Sequence, residues 1–168
     1  MADKEQGAAP ASYRRIEGRE ESSAAVDEVI AQARTTIRVF DTTLFNRGFN
    51  SPARFEVLRH FLHGGRFHSL RIVLHDTETL DRDAPRLMIL LKQFPTQVLV
   101  HRTLPVARHA EDPMVIADDH SMWHQMHFEQ PGAIVALHSP EHVSPVLQRF
   151  EEIWDASELA VSSTVLGL

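Results

Sequence analysis

The side chains best suited to chemistry crowd into one stretch, from His109 to His127, where His109, Glu111, Asp112, Asp118, Asp119, His120, His124 and His127 bring imidazoles and carboxylates together. General acid–base catalysis and divalent-metal binding both use that pairing. His109 or His124 with Glu111 or Asp118 would transfer protons if the groups met at about 3 Å. His120, His124 and Asp118 are also metal-ligating types. On a strand, the step from His120 to His124 puts both imidazoles on one face and turns His127 away. Against both readings stands the ordinary work of Asp-Asp after an apolar strand, which is to bond the backbone of a turn. A second group, Asp41, His75, Asp76 and Arg102, sits at or near the ends of three apolar segments. Ligands of open α/β sheets gather beyond the carboxyl ends of the strands, so these four would form a polar ligand-binding cleft if they converged.

The rest of the composition narrows the chemistry. The chain has 168 residues and no cysteine, which removes thiolate zinc sites and cysteine nucleophiles. It contains no G-x-S-x-G elbow, no G-x-G-x-x-G turn and no Walker loop. No cofactor is expected, with a divalent metal on His and Asp donors as the alternative. The 17 basic residues face 23 acidic ones for a net charge of −6, and that balance leads us to expect no nucleic-acid partner. No apolar run reaches the roughly 18 residues of a membrane span, and the start Met1–Gln6 is polar. A cytoplasmic protein with no membrane partner is the expectation.

The elements that must position these groups are legible from periodicity. Residues 1–20 lack it and read as a flexible tail, with Tyr13 and Ile16 able to dock as a short edge strand. Residues 21–168 read as a single domain. Ser22 or Ser23 would cap a helix carrying Ala25, Val29, Ile30 and Ala33 on one face. Thr35–Phe40, Leu70–His75 and Gln97–Arg102 are β-branched or apolar runs, the pattern of buried parallel strands. Between them, Ser51-Pro52 opens a helix with Phe55, Leu58, Phe61 and Leu62 on its face, and Thr79 or Asp83 caps another with Leu87, Leu90, Leu91 and Phe94. The pattern then changes to a hairpin, Pro113–Asp118 and Met122–Phe128 about the turn Asp119-His120-Ser121, and a further strand, Ala133–His138. Val146, Leu147, Phe150, Ile153 and Trp154 mark the last and most amphipathic helix. Residues 158–168 read as an extended tail. The sum is an α/β fold: a mixed sheet of six to seven strands, parallel in its first half and antiparallel in its second, flanked by helices.

In this order of elements the chain resembles one half of a phospholipase D superfamily enzyme. Met114-Val115-Ile116-Ala117-Asp118-Asp119 looks like that family's apolar strand with its closing Asp, and Phe150–Trp154 like its final helix. The resemblance implies a phospholipase D-like fold over roughly residues 22–157. Counted back from Asp118, the H-x-K-x-x-x-x-D motif places Glu111 at the family's His and Pro113 at its Lys. Proline has no ammonium for a phosphate, and a glutamate is no imidazole nucleophile. The resemblance therefore implies a non-catalytic domain with a binding, regulatory or accessory role, the alternative being a metal-assisted phosphoester hydrolase on the remaining His and Asp. Because active relatives complete their site from two halves, it also implies a homodimer.

Overall fold

The computed structural model describes residues 9–161. In chain order these form β1 (Ser12–Ile16), α1 (Arg19–Ala31), β2 (Thr36–Asp41), α2 (Pro52–His63), β3 (Ser69–Leu74), α3 (Leu80–Asp83), α4 (Pro85–Gln93), β4 (Val98–Thr103), β5 (Met114–Ala117), β6 (Ser121–His127), β7 (Gln130–Leu137), α5 (Pro140–Asp155) and β8 (Ser157–Val161), with a short 3-10 turn at Pro105–Ala107 before β5. One sheet takes all eight strands in the order β1-β7-β6-β5-β2-β3-β4-β8. β2, β3 and β4 run parallel, and every other neighbouring pair is antiparallel.

The parallel centre and the antiparallel flank match the sequence expectation; the count of six to seven strands does not. The sheet's edges make up the difference: β1 is the short edge strand that Tyr13 and Ile16 offered, and β8 forms where an extended tail was expected. β1 lies inside the expected tail of residues 1–20, paired with β7 along Ser12–Ile16, and β8 pairs with β4. Neither is strongly apolar, because an edge strand packs on fewer neighbours and its sequence carries a weak signal. Residues 1–8 of the expected tail, and 162–168 of the extended end, lie outside the described residues. α1 likewise begins earlier than expected, capped at Gly18 rather than Ser22 or Ser23. Ser22 is buried and its hydroxyl accepts from the indole N–H of Trp123 (3.3 Å). Ser51 caps α2 as expected, accepting from the amide of Arg54 (3.3 Å), with Pro52 in the first turn.

Alternation along the strands divides the core into two layers. Ile37, Val39, Ile72, Val100, Val115 and Trp123 face α1, α2 and α4, while Phe40, Val73, Met114, Ile116 and Met122 face α5 with Val143, Phe150 and Ile153. Phe40 and Phe150 are fully covered, each contributing about 1.5–3 kcal/mol of transfer free energy. The sheet thus offers two faces and two rims. The carboxyl ends of β2–β4 share the upper rim with the start of β5 and the end of β6, and the β5–β6 turn lies at the lower rim.

Candidate functional site

On the face covered by α1, the upper rim opens into a cleft of about 590 Å³ between the N-terminal turns of α1 and the loop from Thr42 to Asn50. Its floor is Val39, Val115 and Trp123, and its mouth carries Phe45, which is 70% exposed, and Phe128, which is 37% exposed. Asp41, the last residue of β2, is buried at the back, only 3% exposed. Its carboxylate receives Arg47 Nε (2.6 Å) and the amide of Thr42 (2.7 Å). Burial pushes its pKa above the usual carboxylate range, opposed by the Arg47 charge and the Thr42 amide. Arg47 also donates to Gln125 Oε1 (3.2 Å), and Gln125 donates in turn to the carbonyls of His127 (2.8 Å) and Gln130 (2.6 Å). The loop is anchored from behind by Arg54. This buried guanidinium bonds Asp27 Oδ1 (2.7 Å), the carbonyl of Arg47 (2.6 Å) and that of Ser23 (3.3 Å). Gly48 sits at φ +80°, and a Cβ there would lie 3.0 Å from Arg54 Nη1, so the turn requires glycine. Asp41 and Arg47 therefore neutralise each other at the floor, while the lining also carries Arg19, Glu20 and Glu129 and includes neither His nor Lys.

The residues singled out by the sequence do not share this cleft, Asp41 excepted. Asp41 and His75 end neighbouring strands but face opposite ways. His75 Nε2 donates to the carbonyl of Ala110 (2.6 Å), so its Nδ1 accepts from the Thr103 hydroxyl (2.7 Å). Asp76 is exposed and bonds the amide of Glu78 (2.8 Å), and Arg102 pairs with Glu158 (3.1 Å) at the β4–β8 edge. The expected convergence of these four fails because strand alternation and edge placement send them apart.

Glu111, Asp118 and His124 also separate. Glu111 pairs with His127 (3.0 Å), and exposed His109 bonds only its own turn, at the carbonyl of Val106 (2.8 Å). Asp118 stands at the opposite rim, with φ +54°. Its carboxylate accepts the amides of Arg34 (2.8 Å), Thr35 (2.9 Å) and Thr36 (2.9 Å) and the Thr35 hydroxyl (3.1 Å). Burial works to raise its pKa, but these N–H donors outweigh it and hold the carboxyl below its ordinary value. The metal candidates divide in the same way. His120 lies 3.3 Å from Asp118 and bonds Ser121, whereas His124 sits across from Met114 at the other end of the hairpin. Among the described residues no group of three or more His, Cys, Asp or Glu is placed to hold a metal ion.

His124 has a different partner, Asp112, which the sequence offered only as one of several nearby carboxylates. Its Nε2 bonds Asp112 Oδ2 (2.8 Å), and Arg149 of α5 grips the same carboxylate through Nε (2.7 Å) and Nη2 (2.6 Å). Burial would raise the Asp112 pKa, but the hydrogen bonds from His124 and Arg149 and the Arg149 charge bring it down to about 2. A carboxyl with a depressed folded pKa stabilises the fold above its unfolded value near 4, and that contribution disappears as pH falls toward 2. Asp112→Asn is thus expected to be less stable than the parent at pH 7, with the gap narrowing between about pH 4 and pH 2. Urea denaturation at stepped pH measures this, and a gap constant down to pH 2 contradicts it.

Comparison with known proteins places this architecture. The family described as a domain of unknown function (DUF7931) matches residues 18–163. The chain belongs to that family. No curated protein sequence matches the DUF7931 chain. Among solved structures, it is similar to Nuc from Salmonella typhimurium, a phospholipase D family member, at 16% identity and a TM-score of 0.63, covering 91% of this chain and 100% of that one. NucT from Helicobacter pylori gives 10% identity and a TM-score of 0.60, with 90% and 100% covered. TrmBL2, an archaeal chromatin protein described as showing a novel mode of DNA binding, gives 15% identity and a TM-score of 0.63 over 89% of this chain. The DUF7931 chain spans 55% of that protein's length. These likenesses establish a phospholipase D-like fold. They also overturn the exclusion of nucleic acid drawn from net charge, since a DNA-binding protein carries the same fold. Overall charge averages over a surface and says little about one cleft. Nothing in these likenesses supports the homodimer inferred from the resemblance. No described helix is long and apolar enough to cross a membrane.

Proposed function

We propose that the chain is a non-catalytic phospholipase D-like binding domain, and that its cleft takes an unpaired base of single-stranded nucleic acid. One observation carries the reading: exposed Phe45 and Phe128 stand at the mouth of a concavity whose acidic and basic floor groups already satisfy each other. Exposed aromatic rings beside a groove are stacking platforms, and stacking tolerates any base because every base has a π-face. Arg19, exposed on a lining that also carries Glu20 and Glu129, supplies the cation for the adjoining backbone. Phosphodiester cleavage is not part of the proposal. Counted back from Asp118, the resemblance puts Glu111 and Pro113 where the family has its His and Lys, and the carboxylate of Asp118 is committed to three backbone amides at the far rim. A cytoplasmic setting belongs to the same reading.

Fluorescence anisotropy with a short labelled oligodeoxythymidine at low salt tests it. Saturable binding is expected, weakened roughly tenfold by Phe45→Ala, in line with about 1–3 kcal/mol per stacked base. The strand is expected to remain intact. Absence of binding removes the proposal, and cleavage that stops on chelation of metal would restore the hydrolase alternative.

A further inference from the structure

At the lower rim, away from the cleft, the connection between α2 and β3 closes in a tight turn. Gly65–His68 forms it, with the His68 amide bonded to the carbonyl of Gly65 (3.0 Å). The two corner residues are Arg66 and Phe67, both exposed. Phe67 is 80% exposed, more than any other large apolar side chain among the described residues. The Arg66 guanidinium lies over its ring, 4.6 Å from the centroid.

A single exposed phenylalanine is ordinary on a protein surface. What sets this one apart is the framework that holds it out. Gln97, just before β4, donates its side-chain amide to the carbonyls of Leu62 (2.9 Å), Gly65 (3.0 Å) and His68 (2.9 Å). His68 Nδ1 donates to the carbonyl of Phe61 (2.7 Å), and its ring stacks on Phe61 at 5.1 Å. A Cβ on Gly65 would lie 2.8 Å from His68 Nε2, so the imidazole fills the place of a side chain there. Two consequences follow. The turn is already ordered, so a partner that covers Phe67 loses little to immobilising it. The carbonyls of Phe61 and Leu62, at the negative end of α2 where they would repel a phosphate, are occupied by protein donors.

The charge around the turn is of one sign. Exposed His60 and His63 end α2, and exposed Lys92 lies in the last turn of α4. The His63 ring meets Phe94 edge-on at 4.9 Å, which brings those two helix ends together. Glu56 is the one acid of α2, and Arg59 engages it (2.8 Å). Asp119 and Glu141, exposed acids of the same rim, belong to the β5–β6 turn and to α5, across β2 from β3. A chain of net charge −6 thus presents a cationic, aromatic corner here.

We infer that the Gly65–His68 turn is a second docking point for single-stranded nucleic acid, with one base stacked on Phe67 and phosphates at Arg66 and Lys92. The inference rests on the nucleic-acid reading of the cleft and gives the strand a path. Phe49 lines the cleft just before α2 begins, and the turn follows just after α2 ends. The 12 residues of that helix span about 18 Å. An extended single strand covers at most about 7 Å per nucleotide, twice the duplex spacing of about 3.4 Å. Bridging the two points therefore takes at least about 4 nucleotides, the lower end of the site sizes usual for single-strand grooves.

Fluorescence anisotropy with labelled oligodeoxythymidines of about 3 and about 16 nucleotides tests this, since only the longer one spans the path. The longer strand is expected to bind at least tenfold tighter. Phe67→Ala should weaken the longer strand about tenfold and leave the shorter unchanged, whereas Phe45→Ala should weaken both. Arg66→Gln should lower the salt slope of the longer strand by about one. If neither strand binds, the cleft reading and this inference fall together. Equal affinity for the two lengths overturns this inference alone. So does a longer strand that responds to Phe45→Ala and ignores Phe67→Ala. Vesicles of phosphatidylserine and phosphatidylcholine form the control arm. Vesicle binding that Phe67→Ala abolishes, with affinity for the longer strand untouched, assigns the corner to a lipid surface and overturns the inference.

Discussion

Asp118→Ala is expected to destabilise the protein by about 3–4 kcal/mol, the larger of two effects argued from the geometry. The carboxylate joins the β5–β6 turn to the entry of β2 by accepting three consecutive backbone amides and a hydroxyl. Losing charge-assisted bonds of that kind costs about 2 kcal/mol. The backbone adds its own share: at φ +54° an alanine lies in the left-handed region, at a cost of about 1–2 kcal/mol that aspartate and asparagine reduce by local bonding. Asp118→Gly should therefore be less harmful than Asp118→Ala by about 1 kcal/mol, although both lose the carboxylate. Urea unfolding of the two variants separates the terms, and equal losses would dismiss the backbone share. Because the folded pKa is lowered, the carboxylate's contribution is present above the unfolded value and fades on acidification below about pH 4. Oligonucleotide affinity should be unchanged in folded Asp118→Gly, since the turn and the cleft occupy opposite rims.

Arg54→Met is the second large effect. The side chain is 1% exposed, and its charge faces an Asp27 carboxylate that is 55% exposed. Removing the cation does not strand a buried anion, which keeps the penalty below the about 3–5 kcal/mol of a fully buried pair. It does strip the carbonyls of Arg47 and Ser23 of their donor and removes the guanidinium from over the Phe49 ring, 4.9 Å away. A loss of about 2–3 kcal/mol follows. The distinctive outcome is local: amides of Asn46–Phe49 should exchange faster than in the parent, and oligonucleotide binding should weaken more than global stability predicts. Arg54→Lys cannot reach all three oxygens and should resemble Arg54→Met. Unchanged exchange in that loop would show that Arg54 fills space rather than fixing the cleft.

These two residues also illustrate what a linear reading reaches. Asp118 was legible as a turn aspartate, because an acid closing an apolar strand has few other uses; that its donors lie more than eighty positions earlier was not legible. Arg54 was missed outright. The apolar stripe Phe55, Leu58, Phe61 and Leu62 suggested one buried face for α2, whereas the face that goes inside is Arg54, Leu58 and Leu62, with Phe55 and Phe61 half-covered. Only the buried anchoring of a distant loop makes an arginine prefer that position, and no local pattern announces it. The parallel centre was readable because the short apolar or β-branched runs of β2, β3 and β4 alternate with amphipathic helices. Asp41 was correctly singled out as a strand-end acid, but its companions in the cleft, Arg47 and Gln125, come from a loop and a hairpin whose meeting depends on the strand order.

The two edge strands of the sheet, β1 and β8, have a consequence for the molecule in crowded solution. Each outermost strand is only five residues long, and each carries charge along its exposed length: Arg14 and Arg15 on one, Glu158 on the other. A short charged border offers neighbouring chains little ladder to extend. Both borders therefore discourage filament growth, and the continuous apolar strands that could template it stay enclosed at the centre.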